Sequence, residues 1–314
     1  MNKNIIFFGT PPFAVECLKK MVEEKFNIVA VVTAPDRPAG RGRKINKSAV
    51  KEFSQKQNLR VLQPTNLKDP AFVKQLIGFS PNLMVVVAFR MLPKAIWAIP
   101  PKGTFNLHAS LLPHYRGAAP INWAIINQEQ KSGVTTFFIN EEIDTGAILL
   151  QKVVSLNKEE TASSLHDKLA LKGSELVCRT IKGIFDESLT PIKQDWKGTE
   201  KAAPKLNKEN IFIDWNQPLE TIRAKIKGLS HYPGAKTKWI DDQNTSIIKI
   251  FEAKIIKEQH HFRPKQVIIR DQEILISHSV GFLNCILLQF PNKKKMNAKD
   301  ILNGAIFSKE LVVG

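Results

Sequence analysis

Ile5-Ile6-Phe7-Phe8-Gly9-Thr10-Pro11-Pro12 is a short apolar run stopped by a glycine and two prolines. Four consecutive apolar residues read as a strand buried on both faces, and Gly-Thr-Pro-Pro reads as the turn that leaves it. Phe13, Val15, Leu18, Met21 and Val22 follow at helical spacing. Further short runs lie at Ile28–Val32, 83–88, Thr104–His108, 133–139 and 147–154. Short β-rich runs alternating with helical stretches predict an α/β fold with a parallel sheet covered on both faces. Ligands of such sheets bind beyond the carboxyl ends of the strands.

The texture changes near residue 190. Thr190-Pro191 opens a polar stretch that runs through Lys197-Gly198-Thr199-Glu200 to Pro204 and reads as a linker. Leu219–Leu229 has a helical pattern. After Tyr232-Pro233-Gly234 come five short strand candidates at 236–240, 246–253, 266–270, 273–277 and 284–290. Five short strands separated by polar turns predict a small β-barrel. The expected division is therefore a first domain over 1–190, a linker over 191–205 and a second domain over 206–314.

A chain of 314 residues with 43% hydrophobic residues has enough apolar material for two cores, so disorder is excluded as the main state. No apolar run approaches the roughly 18 residues of a membrane-spanning helix. The opening Met1-Asn2-Lys3-Asn4 leads straight into the first strand, too abruptly for a signal peptide. Cys17, Cys178 and Cys285 are far apart and form no CxxC pair. Neither a disulfide framework nor a zinc site is expected, and a cytoplasmic location is. The net charge of +17 is spread along the chain, with +11 over residues 1–205 and +6 over 206–314. Charge of this kind suits a polyanionic partner or a merely soluble surface, and by itself does not choose.

Asn106 and His108 stand two apart in a strand candidate, so they share one side of it at the carboxyl end. An amide can donate to a developing oxyanion, and an imidazole can donate or carry a proton. A lone histidine there is also compatible with a buried ring bonded to backbone. Asp144, in Ile143-Asp144-Thr145-Gly146, is either turn chemistry or the carboxylate that orients His108; spacing leaves both open. Gly9-Thr10-Pro11-Pro12 holds one glycine and does not match GxGxxG, which argues against a dinucleotide oxidoreductase. Residues 36–44 carry Arg37, Arg41, Arg43 and Lys44 with two glycines and a proline. With no apolar periodicity they are expected to form an exposed, mobile loop, suited to phosphates and bases or simply solvated. Lys293-Lys294-Lys295 is a second basic cluster, either a solvated turn or a backbone-tracking one.

Asn106-Leu107-His108-Ala109-Ser110-Leu111-Leu112-Pro113-His114-Tyr115-Arg116-Gly117-Ala118-Ala119-Pro120 resembles the signature of the folate-dependent formyltransferases. The similarity extends over Phe8-Gly9-Thr10-Pro11, the 34–42 segment, Gln63-Pro64-Thr65 and Ile143-Asp144-Thr145-Gly146. It continues over Ala203-Pro204-Lys205-Leu206, Ile213-Asp214-Trp215 and Lys293-Lys294-Lys295-Met296, and so spans essentially the whole chain. The resemblance implies a Rossmann-like, mostly parallel N-terminal domain and an OB-like C-terminal barrel. It implies 10-formyltetrahydrofolate as formyl donor, no metal, and transfer to the amino group of initiator methionyl-tRNA by a monomer with no membrane partner. It places the catalytic groups on Asn106, His108 and Asp144 and folate contacts on Ser110, Leu111, Leu112 and Pro113. The tRNA contacts fall on Arg37, Arg41, Arg43, Lys44, Lys293, Lys294 and Lys295. One departure is visible: Arg90, in Ala88-Phe89-Arg90-Met91-Leu92-Pro93, takes the place of a glycine beside the implied pterin site.

Two rival assignments leave some of these residues without a use. A formyltransferase for a ribonucleotide or an amino sugar would not need the basic 36–44 segment or a basic second domain. A non-enzymatic RNA-binding module would not need Asn106, His108 and Asp144 together.

Overall fold

The computed structural model describes the chain except residues 1–2, 40–43, 243, 305–306 and 309. By internal contacts it divides into two compact units, one of residues 1–117, 131–155 and 166–202, the other of residues 118–130, 156–165 and 203–314.

In chain order the elements of the first part are β1 (Ile5–Gly9), α1 (Pro12–Glu23), β2 (Ile28–Val32), β3 (Arg37–Ala39), β4 (Lys44–Asn46), α2 (Ala49–Lys56), β5 (Val61–Leu62), α3 (Pro70–Gly78), β6 (Leu83–Val87), α4 (Lys94–Trp97), β7 (Thr104–His108), α5 (Pro120–Ile126), β8 (Lys131–Phe138), β9 (Ile148–Ser155) and α6 (Ala162–Phe185). Seven strands form one sheet in the order β5-β2-β1-β6-β7-β8-β9. The first five run parallel, and β8 and β9 are added antiparallel. The sheet is thus the mostly parallel one expected.

Both faces are covered, which is why the strands read as unbroken apolar runs. Ile6, Phe8, Ala30, Val32, Met84 and Val86 pack with Phe72 and Leu76 of α3 and Ile96 of α4. The alternate residues Ile5, Phe7, Val31, Val85 and Val87 are equally buried. On that second face Gly9 lets α1 approach: a Cβ there would lie 2.6 Å from the Ala14 Cβ. Gly173 of α6 does the same for Leu107, whose Cδ2 would lie 2.7 Å from an added Cβ.

The second unit holds α7 (Leu219–Leu229), β10 (Ala235–Asp241), β11 (Asn244–Ile256), β12 (Val267–Arg270), β13 (Glu273–His278), β14 (Gly281–Gln289), β15 (Met296–Asn297), α8 (Ala298–Leu302) and β16 (Val312–Val313). Its sheet runs β12-β13-β14-β11-β10-β16, all antiparallel. Val312 also bridges Gln266 at the foot of β12, so the two ends of the sheet meet and the barrel nearly closes. Its core gathers Trp215, Ile222, Ile226, Leu229, Trp239, Ile250, Ile276 and Leu283. α5 belongs with this unit because it packs on α7: Asn122 Nδ2 donates to the Gly228 carbonyl at 2.8 Å, and a Cβ on Gly228 would strike Ile126 at 2.5 Å.

Two segments differ from a plain loop reading. Arg37–Ala39 and Lys44–Asn46 pair antiparallel, so the basic segment is a hairpin at its base rather than a structureless loop. Backbone pairing needs no apolar periodicity, so the sequence pattern carried no sign of it. The stretch after residue 190 packs on the first unit as far as Ala202: Ile192 pairs with Ile148, and Gln194 is buried.

Candidate active site

β7 places Asn106 and His108 on the face that carries Met84 and Val86, since Val86 is the register partner of Asn106. Leu107 points the other way, onto Gly173 of α6. The two polar residues therefore share one side, as their spacing implied. Among the described residues, no group pairs with the Asn106 side-chain amide, which leaves it free to donate. His108 is 7% exposed. Its Nε2 lies 2.7 Å from the Tyr115 carbonyl oxygen. A carbonyl only accepts, so Nε2 carries a hydrogen. Its Nδ1 faces Asp144 Oδ2 at 3.8 Å, an ion-pair distance rather than a hydrogen bond.

Asp144 reaches this place through its turn. Its own φ is +56°, a left-handed value that a short polar side chain tolerates. Gly146 is required two residues on, because a Cβ there would fall 1.6 Å from the Phe138 carbonyl oxygen. Asn140 Oδ1 accepts from the Glu142 N–H at 3.2 Å and from the Thr145 hydroxyl at 3.0 Å. Asp144 thus sits in a turn and faces His108 at the same time. Oδ2 also accepts from the Gly117 N–H at 2.9 Å.

Gln194 is a residue that sequence reasoning passed over. Its Nε2 donates to the carbonyls of Asp144 at 2.9 Å and Gly146 at 2.8 Å. Its Oε1 accepts from Arg116 Nη2 at 2.7 Å and Nε at 3.1 Å. The Arg116 guanidinium lies 4.3 Å from the Trp196 ring centroid. Burial lowers the proton affinity of Arg116 below its ordinary value, while Asp144, Glu200 and Glu142 oppose that shift. An amide in a polar stretch carries no periodic signal, so only the packed structure reveals that Gln194 fixes the Asp144 turn.

Ser110–Pro113 forms a tight bend against β8. Ser110 Oγ donates to the His114 carbonyl at 2.6 Å, and Thr135 Oγ1 donates to the Ser110 carbonyl at 2.6 Å. Gln151 Nε2 donates to the Leu112 carbonyl at 2.9 Å. Ser110 and Leu112 are buried, while Leu111 and Pro113 are half-exposed. Leu111 lies over Gly133, where a Cβ would meet its Cδ2 at 2.4 Å. Arg90 leaves the end of β6 and donates from Nη1 to the Thr65 carbonyl at 3.1 Å and from Nη2 to the Pro64 carbonyl. It thereby ties the segment after β6 to the segment after β5. Burial, and then the charge of Arg37, lower its proton affinity from the ordinary arginine value.

The hairpin base is anchored at Asp36. Its Oδ2 takes the Lys51 ammonium at 2.5 Å and its Oδ1 accepts from Gln63 Nε2 at 2.8 Å. Gln63 also donates to the Ala34 carbonyl at 2.8 Å. Arg37 is exposed; the Lys44 backbone lies in β4; Arg41 and Arg43 lie outside the described residues. Lys293, Lys294 and Lys295 are exposed in the turn between β14 and β15 of the second unit. Among the described residues, no group of three or more His, Cys, Asp or Glu is placed to hold a metal ion. Among them, no helix is long and apolar enough to cross a membrane.

A free amide, a buried imidazole and a carboxylate at the carboxyl edge of a parallel sheet suit the transfer of an acyl-type group to an amine. The chain belongs to the formyl transferase family. The model described as Formyl transferase matches residues 3–181, and that described as Formyl transferase, C-terminal domain, matches residues 205–305. Two similar relatives are both named methionyl-tRNA formyltransferase. The one from Flavobacterium johnsoniae is 49% identical over 310 residues, covering 98% of each chain. The one from Flavobacterium psychrophilum is 47% identical over 310 residues, again covering 98% of each. Among solved structures, HypX from Aquifex aeolicus in complex with tetrahydrofolic acid shares the fold at a TM-score of 0.67 and 17% identity. That match covers 96% of this chain and 47% of the longer one.

Proposed function

We propose that this chain transfers the formyl group of 10-formyltetrahydrofolate to the free amino group of initiator methionyl-tRNA, for translation initiation. The observation that carries the reading is the end-to-end likeness, 49% over 310 residues, to a relative bearing that name. The open Asn106 amide and the His108–Asp144 pair supply groups that the chemistry calls for.

The folate is a substrate that brings the formyl group on N10. The bond from the methionyl nitrogen to the formyl carbon forms, the bond to N10 breaks, and one proton passes from the amine to N10. Negative charge builds on the formyl oxygen meanwhile. Asn106 donates to that oxygen. His108, with Nε2 held by Tyr115, turns Nδ1 toward the Asp144 carboxylate and donates from it when the ring carries a second proton. Asp144, beside that ring, supplies negative charge and serves as acceptor for the ammonium proton through water. Preorganised donors of this sort each contribute ~10²–10³ in rate. Ser110 to Pro113 shape the folate side of the site. Arg37 and Lys44, with Arg41 and Arg43 between them in sequence, and Lys293 to Lys295 on the barrel, take the tRNA. On this reading residues 1–190 carry the catalytic domain and 206–314 the tRNA-binding domain, joined by a linker at 191–205 that packs on the first unit as far as Ala202, and the enzyme is a cytoplasmic monomer without a membrane partner.

The deciding assay supplies 10-formyltetrahydrofolate with charged initiator tRNA, and in parallel with charged elongator methionine tRNA, a ribonucleotide amine and an amino sugar. Formylation of the initiator tRNA in strong preference supports the reading. Preference for a small amine overturns it.

A further inference from the structure

Tyr232 is 84% exposed, the highest exposure of any large hydrophobic side chain among the described residues. A tyrosine that packed for stability would hide its ring. The backbone beneath this one is well held. Gly234, at φ +84°, donates its N–H to the Leu229 carbonyl at 2.9 Å. A Cβ on Gly234 would come within 2.7 Å of the Phe251 ring and 3.3 Å of the Lys249 Cβ, so the turn sits directly on β11.

The lysine turn is tied to the same place. Lys295 Nζ donates to the His231 carbonyl at 2.9 Å and lies 3.9 Å from the centroid of the Phe251 ring. The peptide bearing Tyr232 is therefore bonded to the end of the Lys293-Lys294-Lys295 run, across 64 residues of sequence. Lys293, Lys294 and His231 are exposed beside it. The turn is braced by Lys293 N–H donating to the Phe290 carbonyl at 3.1 Å and by Gln289 Nε2 donating to the Lys293 carbonyl at 2.9 Å. An uncovered aromatic ring on a well-held backbone, with cations nearby, has the two parts that a single-stranded nucleotide needs: a flat surface for the base and charge for its phosphates.

We propose that Tyr232 is a stacking platform for an unpaired base of the tRNA, with Lys293 and Lys294 engaging the adjoining phosphates. The proposal rests on the reading of tRNA as substrate. It adds a site on the barrel that recognises an unpaired nucleotide, not only helical backbone. Lys295 adds its charge to the tRNA side while its ammonium, bonded to the His231 carbonyl and lying over Phe251, also fixes the peptide that bears Tyr232.

The two parts separate by salt. Stacking releases few counterions, whereas a phosphate contact does. Tyr232→Ala is expected to raise the Kd for charged initiator tRNA about tenfold, with the slope of log Kd against log salt unchanged and the Kd for the folate donor unchanged. Tyr232→Phe keeps the ring and should restore affinity to within about twofold. Lys294→Gln should reduce the magnitude of the salt slope by about one. Tyr232→Ala binding within twofold of wild type, or Tyr232→Phe binding as weakly as Tyr232→Ala, overturns the platform while leaving the tRNA reading intact. Failure of the wild-type chain to bind charged tRNA at all overturns both. The exposure of Tyr232 makes misfolding an unsuitable explanation, and an unchanged Tm for each variant checks that.

Discussion

His108 Nδ1 and Asp144 Oδ2 face each other at 3.8 Å, while the Nε2 of the same ring is fixed on the Tyr115 carbonyl at 2.7 Å. The ring is thus oriented by backbone and not by the carboxylate. Asp144 in turn is positioned by the Gly117 N–H and by its own turn. Replacement of Asp144 should therefore remove charge and proton acceptance without releasing the ring. We expect Asn106→Ala, His108→Ala and Asp144→Ala each to lower kcat by ~10²–10³, with Tm within a few degrees of wild type for Asp144→Ala. Steady-state formylation kinetics measure this, and near wild-type kcat in all three would exclude the assignment.

Gln194 supplies a subtler case. Its buried amide joins two carbonyls of the Asp144 turn to the Arg116 guanidinium. Gln194→Leu leaves those carbonyls and part of Arg116 unpaired, at a cost of about 1–3 kcal/mol. The expected outcome is a lower Tm together with a kcat loss smaller than that of Asp144→Ala. If kcat falls as far as in Asp144→Ala with Tm unchanged, Gln194 acts on substrate directly and not through the turn.

The sheet was legible where strands bury both faces. Ile5–Gly9, Ile28–Val32 and Leu83–Val87 announce themselves as apolar runs because α1, α3 and α4 cover them. Val61–Leu62 at the sheet edge and Val312–Val313 at the barrel seam are two residues each, too short for any periodicity. The pairing of Arg37–Ala39 with Lys44–Asn46 is carried by backbone hydrogen bonds among polar residues, which leave no apolar pattern. At the site, the shared side of Asn106 and His108 follows from strand geometry. The approach of Asp144 does not: it depends on a left-handed residue and on the close passage of Gly146 over Phe138.

The anchor of the basic hairpin makes a pH prediction. The hydrogen bond from Lys51, then that from Gln63, hold the Asp36 carboxyl below the usual aspartate range. A depressed carboxyl contributes stability that is fully present above its unfolded value and disappears as pH falls through the folded one. The hairpin base should therefore stay anchored down through the ordinary aspartate range and loosen only below it. Lys51→Met should move the loosening toward neutral pH. Amide exchange of residues 37 and 46 against pH measures it, and identical profiles for both proteins would show that the anchor does not govern the hairpin.

Thiol chemistry gives the last test. Cys17, Cys178 and Cys285 are all buried and unpaired. Burial raises all three above the usual thiol range, to about 12 for Cys178. The thiolate is the reactive form, so the folded chain should be inert to a thiol reagent near pH 8. Each cysteine should react only when its surroundings open. Titration with an aromatic disulfide reagent should then release no chromophore from the native protein and three equivalents after denaturation. Because Cys17 and Cys178 belong to the first unit and Cys285 to the second, stepwise release during gradual denaturation would report the two units opening separately. Release of all three together would show instead that they unfold as one cooperative body.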